Sequence, residues 1–174
     1  IACESPNDML ASFELSACNM LFATPGALTD DTAETIVTAE SARGGLLCTT
    51  THTVVMIDSD ESRTWVDDVV AEKVRAAAPQ TAFNEEIRAK FLAHHGTLNG
   101  ITGIDELARS DKDTDKDKTE IPMIAMKMTG ETFTSNTDHT TVEWYGQGFN
   151  FVFCKDDKEA GAVISSVEEG QLRA

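Results

Sequence analysis

The chain has 174 residues, 41% of them hydrophobic, with 14 Lys and Arg against 30 Asp and Glu for a net charge of −16. This length suits one domain with one sizeable core, and the apolar share is too high for a disordered chain. The charge argues against nucleic acid or an anionic bilayer as partner, because binding either relies on basic residues displacing counterions.

Ile1 opens the sequence, so the expected unit is one domain over 1–174, truncated at its N-terminus. No apolar run approaches the roughly 20 residues of a membrane helix, and membrane contact is expected only through a segment outside the chain. Ser5-Pro6-Asn7-Asp8 starts a helix over 6–22, with Leu10, Phe13, Ala17, Met20 and Leu21 at helical spacing. Thr29-Asp30-Asp31 starts a second, which faces Ala33, Ile36 and Val37 inward and closes at Arg43-Gly44-Gly45. The β-branched run 47–57 predicts a strand. A helix over 62–78 carries Val66, Val70 and Val74 on its apolar stripe, and Pro79 stops it. Another spans 82–95 with Phe83, Ile87 and Phe91 on one face, followed by a short helix at IDELAR.

Residues 110–119, SDKDTDKDKT, contain no apolar side chain and read as a flexible charged loop. Beyond them the period becomes strand-like, with strands expected at 121–128, 140–145 and 149–154 and a further one at AVISSV. The short turns between these runs favour antiparallel pairing. The expected fold class is therefore α+β, with N-terminal helices packed on a mainly antiparallel sheet built largely from the C-terminal third. Its core should include Leu10, Phe13, Leu21, Val66, Val70, Val74, Phe83, Ile87, Phe91, Ile124, Trp144 and Phe151.

Two acidic runs are candidate sites. The apolar run Thr53–Ile57 ends in Asp58-Ser59-Asp60-Glu61-Ser62. This D-x-D-x-S segment resembles the first motif of the haloacid-dehalogenase-type phosphotransferases. The resemblance implies Asp58 as nucleophile and Asp60 as acid/base, with magnesium holding the phosphate. Thr129 and Asp156-Asp157 would be the later motifs, although the spacing between them looks too short for the parallel crossover that family needs. The bland alternative is an acidic turn capping the next helix. Asp111, Asp113, Asp115 and Asp117 alternate like the first half of a calcium loop, but Lys116 and Pro122 stand where Gly and Glu are required. Either run would take a divalent cation, calcium or magnesium. Trp144 and Tyr145 form a candidate aromatic binding site. His52, His94, His95 and His139 lack metal-ligand spacing.

Cys3, Cys18, Cys48 and Cys154 form an even set with no C-x-x-C pair, and all four are disulfide candidates. Abundant threonine beside a single tyrosine fits the same picture. The function expected from these features is a secreted or periplasmic, non-enzymatic binding, sensory or assembly domain that meets a protein partner. The runner-up is a magnesium-dependent phosphotransferase.

Overall fold

The computed structural model describes residues 19–47, 50–115 and 119–167. Among them, β1 (Asn19–Ala23), α1 (Asp30–Ser41) and β2 (Thr51–Ile57) form a βαβ unit whose two strands pair in parallel. Thr29 caps α1 by accepting the Thr32 N–H, and Asp30 and Asp31 complement the positive helix end. After β2, one helical stretch runs through α2 (Asp60–Thr64), a π-helical segment (Trp65–Val70) and α3 (Ala71–Ala76). Ser59 and Ser62 form a reciprocal capping box at its start. Then follow β3 (Gln80–Thr81), α4 (Glu85–Asn99), β4 (Ile104–Arg109), β5 (Glu120–Ile121), β6 (Ile124–Thr129), α5 (Gly130–Ser135), α6 (Thr137–Thr140), β7 (Gly148–Cys154) and α7 (Asp157–Ser165).

The main sheet has the order β1-β2-β7-β6-β4, and only the β4/β6 pairing is antiparallel. β3 and β5 make a separate two-stranded ribbon. Strand alternation divides the side chains between two cores. Val55, Val152, Met126 and Met128 pack with Phe91, Leu98, Phe133 and Val163 under α4, α5 and α7. Val54, Met56, Phe149, Phe151 and Phe153 pack with Ile36, Trp65, Val70 and Val74 under α1, α2 and α3. The molecule is thus a three-layer α/β/α sandwich. β7 is buried along its whole length, as a central strand covered on both faces must be.

The expectation of a mainly antiparallel sheet is corrected. The segment between β6 and β7 is no hairpin: Thr129 caps α5, α6 follows, and the chain returns to the starting end of the sheet before β7 begins. Thr140 ends α6 and Trp144 lies in the loop, so the expected strand at 140–145 is absent. AVISSV belongs to α7 and IDELAR is β4. Both segments are too short for periodicity to separate helix from strand, and tertiary pairing decided each. A bulge in β4 between Glu106 and Ala108 shifts the alternation, so Ile104 and Ala108 enter opposite cores. Residues 19–22, expected to end the first helix, belong to β1, whereas the rest of that helix, with Leu10 and Phe13, lies outside the described residues. Phe83, expected in the core, is 82% exposed.

Candidate active site

In open α/β sheets, ligands usually settle beyond the carboxyl ends of the strands, where neighbouring strands send their helices to opposite faces. Here that point lies between β2 and β7. It is occupied by the protein's own groups. Asp58, which follows β2, binds Arg63 through two hydrogen bonds, Nε–Oδ1 at 2.6 Å and Nη2–Oδ2 at 2.7 Å. The Arg63 guanidinium also stands 5.1 Å from the centre of the Phe153 ring. Asp156 caps α7 by accepting the Glu159 N–H at 2.8 Å, and Glu159 accepts the Lys155 N–H at 2.6 Å.

The opposite end of the sheet is less settled. There the loop following α1 and the loop preceding β7 press together. Arg43, Gly44 and Gly45 take left-handed φ values of 49°, 69° and 73°, and Tyr145 in the facing loop takes 53°. Non-glycine residues held in this region are strained, and such strain concentrates at functional sites. A Cβ on Gly45 would overlap the Gly146 carbonyl, so only glycine fits the contact.

Buried polar groups gather at the same end. The Asn19 amide donates to the Thr50 carbonyl at 3.0 Å, and Gln147 Nε2 donates to the carbonyls of Ile121 at 3.0 Å and Ala78 at 3.3 Å. Other atoms there have no hydrogen-bond partner: both carboxyl oxygens of Glu40, the hydroxyls of Thr50 and Thr53, both amide atoms of Asn150 and Oε1 of Gln147. Thr53 and Asn150 are register partners on β2 and β7. Each unsatisfied buried group costs about 1–3 kcal/mol, and a native fold retains few without a reason. Burial holds the Glu40 carboxyl well above the usual range, although the nearby Thr51 N–H favours the anion slightly. Burial also pushes His52 down to about 4 against a weak contact with the Gly148 carbonyl. His52 is therefore neutral at pH 7, and Glu40 holds its proton above the ordinary carboxylate range.

The candidate residues fall as follows. Asp58 has both oxygens engaged by Arg63, and Asp60 is exposed in the first turn of α2. β2, β7 and β6 are parallel neighbours, so the topology does set Asp58, Asp156 and Thr129 on adjacent strand ends, and the spacing objection does not hold. Even so, among the described residues no three His, Cys, Asp or Glu side chains could hold a metal ion. Asp111 and Asp115 are tied through their backbone N–H groups, to the Arg75 carbonyl at 2.9 Å and Glu120 Oε2 at 2.8 Å. Asp113 is exposed, and Asp117 lies outside the described residues. Trp144 is fully buried, tilted against Phe91 at 5.6 Å and edge-on to His94 at 4.8 Å, with Tyr145 half-buried beside it. His94 is pushed down to about 4, mainly by burial. His95 bonds Glu106 at 2.7 Å. Cys154 is a free, buried thiol, which corrects the expected pairing through that residue, and Cys3, Cys18 and Cys48 lie outside the described residues.

The sequence did hold signals for the groups missed. Glu40 falls four residues after Ile36 and three after Val37, on the apolar stripe of α1, where a carboxylate is out of place. Asn150 interrupts the apolar run FNFVFC.

A mostly parallel α/β sandwich with its unsettled polar groups at the amino ends of the strands is the class of protein the fold defines. No family model matches the sequence, and no curated protein matches it. Solved structures do share the fold. The NAD-dependent benzaldehyde dehydrogenase from Corynebacterium glutamicum matches with a TM-score of 0.69 at 10% identity, over 91% of this chain and 34% of its own. Proline utilization A from Bdellovibrio bacteriovorus gives a TM-score of 0.74 at 13% identity, over 89% and 16%. Betaine aldehyde dehydrogenase from Staphylococcus aureus, solved with NAD+ and a cysteine free of BME, gives 0.61 at 14%, over 92% and 37%. The chain spans well under half the length of each.

These likenesses overturn the functional expectations. The fold is that of part of aldehyde dehydrogenases, so the non-enzymatic exported binding domain and its phosphotransferase alternative are both set aside. The calcium or magnesium cofactor goes with them, since the neighbours named with a cofactor are named with NAD. The extracytoplasmic address rested on disulfides, and Cys154 is a free thiol in a fold shared with part of aldehyde dehydrogenases. No helix among the described residues is long and apolar enough to cross a membrane.

Proposed function

We propose that this chain forms part of an NAD-dependent dehydrogenase acting on aldehydes, and that its nucleophile is the thiol of Cys48. The observation that carries this reading is the shared fold with aldehyde dehydrogenases over 85–92% of the chain. A thiolate adds to an aldehyde carbonyl carbon to give a covalent adduct, the kind of step that splits a difficult reaction into easier ones. Cys154 is unsuited to it: burial, with Glu159 and Asp156 nearby, pushes its thiol up to about 11. In sequence Cys48 stands between the left-handed loop 43–45 and β2, two residues before Thr50, whose buried hydroxyl is one of the unpaired groups.

The described residues do not fit the pyrophosphate of NAD. Such a group favours a helix N-terminus with free N–H donors and no competing charge. The first turns of α1, α2, α4 and α7 carry Asp30 and Asp31, Asp60 and Glu61, Glu85 and Glu86, and Asp157 and Glu159, and each helix is capped by its own side chain. No step through the dinucleotide is assigned to these residues.

Alkylation with iodoacetamide, read by peptide mass spectrometry with and without an aliphatic or aromatic aldehyde, tests the proposal. Cys48 should react first and be protected by the aldehyde, with Cys154 slow in both cases. NADH formation from NAD and aldehyde, where the purified protein shows it, should vanish in Cys48→Ser and survive in Cys154→Ala. Equal labelling of Cys48 with and without every aldehyde tried would overturn the reading.

A further inference from the structure

The Glu40 carboxyl is fully buried in the last turn of α1, and neither oxygen has a hydrogen-bond partner. A helix C-terminus is itself electronegative, so this is an unfavourable place for a carboxylate. Three residues later the chain enters the left-handed run Arg43-Gly44-Gly45, whose Gly45 is seated on Gly146. Among the described residues no cation answers the carboxyl. Lys73 of α3, the helix facing α1, is held by Asp30 and Glu34 at 3.1 Å each. Glu72 lines the groove between the two helices with those acids, and Arg43 is exposed. On β2 the titratable side chain is His52, buried and neutral. Among the described residues, ionised Glu40 therefore has only the weak pull of the Thr51 N–H in place of its water.

We propose that Glu40 is a pH-operated latch: its uncharged carboxyl lets the loop 42–47 stay docked on Gly146, and its ionisation releases that loop. The latch stands whether or not the dehydrogenase reading holds, since it rests on the loop and the carboxyl alone. Burial holds the proton on Glu40 above the ordinary carboxylate range, and the undocked loop exposes the group to water, where it ionises normally. Opening is then favoured about tenfold for each pH unit between the ordinary value and the docked one, and levels off above. The sign is opposite to that of an ion-paired carboxylate.

Arg43 supplies the readout, as an exposed trypsin site inside the loop. Cleavage after Arg43 should be followed from pH 6 to 9 in the wild type and in Glu40→Gln, so that trypsin's own pH dependence cancels in the ratio. The wild-type rate should rise relative to the variant by up to about tenfold per pH unit before it levels off. If the variant does not fold, the wild type alone decides, through cleavage after Arg43 relative to Lys90 on α4. A ratio independent of pH over that range, in either comparison, would overturn the latch.

Discussion

Phe91 and Phe83 lie eight positions apart, and the sequence places them on one helix face. In the structure Phe91 is fully buried against Trp144, with its ring beside Gly146, whereas Phe83 is 82% exposed ahead of the first turn of α4. Asn84 explains the difference. Its side chain accepts the Ile87 N–H at 2.8 Å, so it caps α4 and leaves Phe83 outside the helix. Phe91→Ala should cost about 3–5 kcal/mol, the usual range for emptying a packed aromatic site. Phe83→Ala should leave stability unchanged within about 0.5 kcal/mol, as for an exposed side chain with little packing to lose. Urea unfolding of both variants checks the pair, and similar midpoints would contradict the assignment of Phe91 to the core.

At the scale of the element, the loop after α1 depends on one glycine more than on its length. Gly45→Ala meets a left-handed φ of 73° and the backbone of Gly146, which cannot swing aside as a side chain could. A loss of at least about 2 kcal/mol is expected. Gly96 is the control: it lies within α4, and a Cβ there meets nothing within 4 Å. Gly96→Ala should stabilise by about 0.5–1 kcal/mol through helix propensity alone. Thermal melts of the two variants moving in opposite directions would confirm the distinction, and a tolerated Gly45→Ala would show that the loop contact is slack.

At the scale of the whole molecule, buried titratable groups set the pH of greatest stability. His52 and His94 fall from 6.5 to about 4 on folding, chiefly through burial, so the unfolded chain binds protons the folded one refuses. Stability they support is present above about 6.5 and is lost as pH falls toward 4. Glu40 works the other way. Its folded value is raised, so stability is fullest below its ordinary 4.5 and declines as pH rises toward that raised value. Two histidines outweigh one carboxyl between these limits, and above the upper one the histidines add nothing further, so what the raised Glu40 carboxyl removes there is not offset by them. Urea midpoints should therefore peak near pH 6.5, and Glu40→Gln should flatten the alkaline side while leaving the acid side steep. A wild-type profile flat from pH 5 to 8 would show that these groups are hydrated in the folded state.

The sequence by itself determined the long elements: α1 with its Thr29 cap, the helix from Asp60, α4, β2 and β7 each carry a pattern strong enough to survive any packing. It also marked the Arg43-Gly44-Gly45 turn, because few residues other than glycine enter that backbone region readily. Tertiary structure decided the rest. Whether IDELAR and AVISSV became strand or helix depended on a neighbouring strand or a core surface to pair with, as their lengths are too short for local preference to rule. Strand direction in the C-terminal third was likewise set by α5 and α6, which carry the chain back across the sheet so that β7 can enter parallel between β2 and β6. The polar end of the sheet was visible only as single odd residues, Glu40 on an apolar stripe and Asn150 in an apolar strand. Burial is a property of the whole packed molecule, and it alone turns such residues into unpaired groups held at one place.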